Sequence, residues 1–326
     1  MIRLAGLWWR MLRYRVASMV ALFLLLGAAT GPGLERSWAL VLAALALASA
    51  YVAATAVNDV ADEPIDHVNH PRDAGRPLVS GDADAEDLWR LHVAAVVLAL
   101  GAAVPLGFLA VGLVAVSLAI GHAYSLPPVA LSHRTWAAPV VLSLAYVAVP
   151  FALGLTAAGG SPIDADPVVA AALVALFLAR IVLKDFRDRA GDSLYGRPTL
   201  LLRFGKDTTC VVSAAALALG TVLLLVSLRP PPAVTGVLVV LLGGIAWALR
   251  MLWLAPESRA EQIAIGIGAR MGNGVLLVTL AWLVVTDQGA PPAEQVAVAL
   301  LVGAAFAVGF VSLVTRPEHA LVGYKG

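Results

Sequence analysis

Charge is scarce in this sequence. Of 326 residues only 13% are Asp, Glu, Lys or Arg, against 60% hydrophobic residues, and a soluble domain carries roughly 25% charged residues. The scarcity excludes an ordinary water-soluble fold. Cysteine is nearly absent as well: Cys210 stands alone, which excludes an intramolecular disulfide and a thiolate metal cluster. A net charge of +1, with no continuous basic stripe, excludes a nucleic-acid partner. The basic, Trp-rich start, with Trp8, Trp9, Arg10, Arg13 and Arg15, lacks the pattern of a cleaved signal peptide. Residues 1–15 are expected to lie at the membrane interface, with these arginines near lipid head groups.

Apolar runs take the place of charge. Stretches long enough to cross a hydrocarbon core of about 30 Å fall at 16–33, 37–58, 87–106, 108–126, 136–155, 167–187, 207–228, 233–255, 262–286 and 293–315. Turn-forming residues separate them, among them Gly31-Pro32-Gly33, Pro127-Pro128 and Pro291-Pro292. The expected fold is all-α: a polytopic membrane bundle of nine to ten spans around a central cavity, built from 1–326 as a single domain. With both termini on the cytoplasmic side, all of the 22 basic residues except Arg36 and Arg229 fall in or nearest to cytoplasmic segments, as positively charged loops should. Two loops, 59–86 and 188–206, are long and charged, so an active site is expected to face the cytoplasm.

The second span ends in Asn58-Asp59-Val60-Ala61-Asp62-Glu63-Pro64-Ile65-Asp66, and the sixth in Lys184-Asp185-Phe186-Arg187-Asp188-Arg189-Ala190-Gly191-Asp192. Both space their aspartates by three and then four, which places them on one helix face. Asp59 and Asp185 stand 126 residues apart, and each set is followed by an Arg-Pro pair, Arg76-Pro77 and Arg197-Pro198. The chain reads as two related halves with a site between them. Pro64 should end or bend the first helix near Ala61 or Asp62 and carry Asp66 off the common face.

Three carboxylates on one face at a membrane boundary repel one another and require a cation. Mg2+ fits, because it prefers oxygen ligands and bridges carboxylates to phosphate oxygens. Arg72, Arg76, Lys184, Arg187 and Arg197 are placed to neutralise the remaining phosphate charge.

Asn58 to Asp66, the run Arg76-Pro77-Leu78-Val79-Ser80-Gly81 and Asp185 to Asp192 resemble the two motifs of the UbiA superfamily of intramembrane prenyltransferases, a likeness that reaches from about Trp8 to at least Gly205. The resemblance implies a magnesium and diphosphate site at Asn58, Asp59, Asp62 and Asp66 and another at Asp185, Asp188 and Asp192. Tyr124, in Tyr124-Ser125-Leu126-Pro127-Pro128, resembles the family's Tyr-Ser-x-x-Pro segment and would line the cavity near the reactive carbon, although an interfacial position suits it equally. Family members have nine spans, so 293–315 is an additional one. The implied reaction is ionisation of an isoprenyl diphosphate and transfer of the prenyl group to an aromatic or other lipophilic acceptor, with Tyr146, His122, His133 and Arg134 as acceptor-side candidates. A terpene cyclase on the same scaffold is the alternative, and a cation-coupled transporter a more distant one.

Overall fold

The computed structural model describes residues 2–71, 73, 75–163 and 165–317, with the side chains of Ile2 and Arg3 outside the description. Arg72 therefore lies outside the described residues, as does Lys325. Among the described residues every regular element is helical. A short helix α1 (Ile2–Met11) leads into α2 (Tyr14–Ala29), and then come α3 (Ser37–Asn69), the single turn α4 (Pro77–Ser80), α5 (Ala85–Ala103) and α6 (Phe108–Ser125). The second half holds α7 (Ala137–Ala158), α8 (Pro167–Leu194), α9 (Leu200–Leu228), α10 (Pro232–Leu254), α11 (Ser258–Asp287) and α12 (Pro292–Thr315). Nine described helices are long and apolar enough to cross a membrane, or ten if the bent pair α1–α2 is counted as one span. The protein is a multi-pass membrane protein.

Alanine- and leucine-rich stretches such as Ala39 to Ala56 favour helix at most positions, and side-chain caps set several starts. Asp84 accepts from Asp87 N at 2.8 Å, Asp166 from Val168 N at 2.9 Å and Thr199 from Leu202 N at 3.3 Å. Two apolar cores result. One gathers α3, α5 and α6 around Ala43, Ala46, Leu88 and Val114. The other gathers α8 to α12 around Leu173, Leu224, Leu238 and Val275. Helices α2 and α7 contribute to both cores and cross backbone against backbone. A Cβ at Gly27 would run into the Phe151 carbonyl, and one at Gly154 into the Leu24 carbonyl. Small residues at such crossings let membrane helices approach closely where no hydrophobic effect drives them together.

Two expectations are corrected. Helix α3 runs through Pro64 to Asn69: Pro64 is exposed, so the i−4 carbonyl that loses its partner there lies on the open side of the helix. Residues 59–69 and 188–194 are consequently helical rather than loop, and both acidic motifs stand on helices that outrun their apolar spans. Within α9, Gly205 adopts φ 81°, ψ 176°, a conformation open to glycine, and this kink separates a short helical piece beginning at Leu200 from the seventh span, which runs on from there as expected.

Candidate active site

The acidic ends of α3 and α8 face each other at one end of the bundle. With Pro64 absorbed into α3, Asp59, Asp62 and Asp66 are all buried, at 2%, 8% and 6% exposure. The last turn of α3 is tied to α8 by Asn69, whose Oδ1 accepts from Gly191 N at 2.6 Å. Glycine is required there, because a Cβ on residue 191 would lie 2.8 Å from the Ile65 carbonyl oxygen.

The aspartates are matched by arginines from elsewhere in the chain. Arg13 donates from Nη2 to both Asp59 oxygens, at 2.6 and 2.8 Å. Arg76 pairs with Asp66, and its Nη1 also lies 3.8 Å from Asp59. Arg197 pairs with Asp62, while its Nη1 lies 3.5 Å from Asp192. The arginines of both Arg-Pro pairs thus reach carboxylates of the first motif. Burial, with the Arg13 charge beside it, pulls the Arg76 guanidinium down to about 10, so it remains a cation at neutral pH. For Arg197, burial is outweighed by Asp62 and Asp192, which shift it up. The second motif is less fully matched. His70 Nε2 lies 3.3 Å from Asp188 Oδ1, and Arg187 Nε 3.6 Å from it, yet Asp188 Oδ1 and Asp192 Oδ1 are buried without a hydrogen bond.

Beneath these charges lies a cavity with an open volume of about 1310 Å³, mouth included. Asn58, Asp62, Asp66, Asp188 and Asp192 line its acidic rim, and Arg13, Arg76, Lys184, Arg187 and Arg197 its basic part. Val16, Val20, Leu47, Ala50, Ile120 and Leu142 form an apolar interior. Tyr124 is buried and also lines it, with Lys184 Nζ donating to Tyr124 Oη at 2.8 Å, so it is a cavity residue rather than an interfacial one. Tyr146 enters from a π-helical turn, Leu144–Ala148, and its ring packs edge-on against Tyr51 at 5.9 Å.

Not every expected residue reaches this space. Asp59 is covered by Arg13 and Arg76, and Asp185 turns toward a smaller recess lined by Ser132, Thr135 and Pro198. Among the described residues no three acidic or metal-binding side chains converge as a ready metal site. The acceptor-side candidates divide in the same way: Tyr146 lines the cavity, whereas His122 packs edge-on against His92 at 4.7 Å and His133 and Arg134 are exposed. Arg13, Asn69 and His70 are site residues that the sequence reading missed. Arg13 was expected among lipid head groups, but α1 turns 68° against α2 through Arg13 itself, at φ 44°, ψ 64°. That hinge delivers the guanidinium to Asp59. Arg10 likewise reaches Asp82, at 2.9 Å. An acidic motif with more carboxylates than nearby arginines was the available signal for such a partner.

A model of the UbiA prenyltransferase family matches residues 18–274. This chain belongs to that family. It is a prenyltransferase by that membership, and α12 lies beyond the matched residues. The bacteriochlorophyll synthase 33 kDa chain of Cereibacter sphaeroides is 27% identical over 261 residues, covering 76% of this chain and 81% of that protein. Its Rhodobacter capsulatus counterpart is 30% identical over 234 residues, covering 69% and 74%. Among solved structures, a UbiA homologue from Archaeoglobus fulgidus bound to GPP and Mg2+ superposes with a TM-score of 0.57 at 16% identity, covering 95% of this chain and 99% of that one. At that identity the likeness concerns the fold.

Proposed function

We propose that the protein ionises an isoprenyl diphosphate in a Mg2+-dependent manner and transfers the prenyl group to an aromatic or other lipophilic acceptor within the membrane. The observation that carries this reading is a single cavity in which two acidic helix ends and five cationic side chains adjoin an apolar interior. A diphosphate with a long hydrocarbon tail matches both parts.

Asp62, Asp66, Asp188 and Asp192 would hold the metal, and the unbonded Asp188 and Asp192 oxygens fit a hard cation that prefers oxygen. Bound there, Mg2+ supplies positive charge to the departing diphosphate. Asp59, held by Arg13, and Asp185, in the adjoining recess, flank this set. Lys184, Arg187, Arg76 and Arg197, together with Arg72 by its position in the sequence, bind the diphosphate oxygens. Each well-placed cation of this kind stabilises a developing anion by several kcal/mol, about 2.7–4 where single donors have been removed.

Tyr124, held by Lys184, lines the cavity, and in this reading its ring is the one that faces the allylic carbon as the C–O bond breaks. Tyr51 and Tyr146 present further aromatic surface, which is attractive to a carbocation. The apolar interior accommodates the tail and excludes water that would quench the cation. The active site opens to the cytoplasm, in accord with the basic residues at that end of the bundle.

Purified protein incubated with prenyl diphosphates of several lengths, Mg2+ and a panel of aromatic and lipid acceptors tests the reading. Diphosphate release that depends on both Mg2+ and an acceptor supports it. A cyclic hydrocarbon formed equally fast without acceptor would establish the cyclase alternative.

A further inference from the structure

A second chamber, with an open volume of about 760 Å³, mouth included, lies within the other half-bundle, bounded by α2, α8, α9, α10 and α11. No residue lines both this chamber and the central cavity. The partition is built from opposite faces of the same helices. On α2, Val16 and Val20 face the central cavity while Met19 and Phe23 face the second chamber. On α8, Ile181 and Lys184 face the first while Phe177 and Arg180 face the second. Phe177 closes the wall, edge-on to Phe23 at 6.1 Å and to Tyr146 at 5.9 Å.

The walls of the chamber are apolar apart from two groups. Ser213 is satisfied, donating to Ala179 O at 2.6 Å. Arg180 is different. Its Nη1 donates to Asn273 Oδ1 at 3.0 Å and lies 3.1 Å from Met19 Sδ, and among the described residues no carboxylate comes within ion-pair distance of it. A guanidinium inside a membrane span is costly, and such groups pair with an anion or serve a polar ligand. Five donors in a planar fork suit a carboxylate or phosphate. Gly272 keeps the space open, since a Cβ there would meet nothing within 4 Å.

We infer that this chamber is a second binding site, separate from the diphosphate cavity, for an amphiphile whose anionic head rests on Arg180 and whose hydrocarbon fills the apolar part. Carboxylate and phosphate heads share the chemistry, and a membrane phospholipid or a free amphiphilic acid could supply it. The site requires no turnover, so it stands apart from the prenyl-transfer reading.

The full-length protein in lipid nanodiscs is labelled with two probes, a diazirine-bearing palmitate and a phosphatidylglycerol carrying the same chain, and the labelled peptides are mapped. Labelling between Phe177 and Leu183 or between Ala264 and Leu276 is expected. R180Q should weaken it about tenfold, the effect of removing one charge-assisted contact, whereas R180K should retain most of it. G272L, which projects a side chain into the chamber, should weaken labelling strongly. Labelling by both probes assigns the occupant to the bilayer, and labelling by palmitate alone to a free acid. The proposal is overturned if neither probe labels these segments, if R180Q and G272L label as the wild type does, or if geranylgeranyl diphosphate with Mg2+ displaces the label. Displacement would make the chamber an extension of the central cavity.

Discussion

Replacing Arg197 by glutamine removes the partner of two buried carboxylates at once. Its side chain is 9% exposed, that of Asp62 12% and that of Asp192 3%, so water cannot readily take its place. Breaking a buried pair on one side costs about 3–5 kcal/mol, mostly through the charge left behind. R197Q is therefore expected to destabilise the resting, metal-free protein by about that amount, and D62N by a similar one. The double variant R197Q/D62N should lose less than the two added together, because neither orphan remains opposite the other. A coupling of about 1–3 kcal/mol lies within the range for contacting residues. The assay is reversible unfolding in mixed micelles, followed by Trp fluorescence over the four-variant cycle without Mg2+ or substrate. Strict additivity would refute the claim that the second Arg-Pro arginine neutralises the first acidic motif.

Further outcomes follow from the same geometry. D188N and D192N should each abolish turnover while the helical circular dichroism signal is preserved, and near-normal activity in both would remove the second motif from the site. R13Q should reduce kcat/KM by about tenfold to a hundredfold, the loss of about 1.5–3 kcal/mol from one charged hydrogen-bonding group, with R13K recovering part of it. Unchanged kinetics would return Arg13 to the lipid interface. G154A should cost about 1–3 kcal/mol by overpacking against the Leu24 carbonyl, measured as a lower denaturation midpoint. Cysteines placed at Ser161 or Arg229 should react with impermeant reagents only from the face opposite the active site.

The spans were legible because an apolar run of fixed length is a direct reading of bilayer thickness, and the nine long helices and the bent first pair follow those runs closely. The acidic motifs were legible as clusters, since spacings of three and four survive any helix. What the chain does between elements was harder to read. Pro64 signals a helix end in isolation, but nothing in the neighbouring residues reveals that its ring points outward and lets α3 continue to Asn69 and His70. The path of Arg13 depends on a 68° bend set by one residue's backbone. Local periodicity says nothing about such a bend, and a basic, Trp-rich start by itself points to lipid head groups. The withdrawal of Asp59 and Asp185 from the cavity lining has the same origin: helical spacing fixes a face but not which neighbouring cation claims it.

The central claim is that a prenyl diphosphate binds between the two acidic helix ends with Mg2+. Equilibrium binding of geranyl diphosphate to the purified protein, measured calorimetrically with and without Mg2+, tests it most directly. Binding is expected to require Mg2+ and to be lost in D62N and in D192N, while R180Q binds as the wild type does. Equal binding in the absence of Mg2+, or full affinity retained in both aspartate variants, would contradict it.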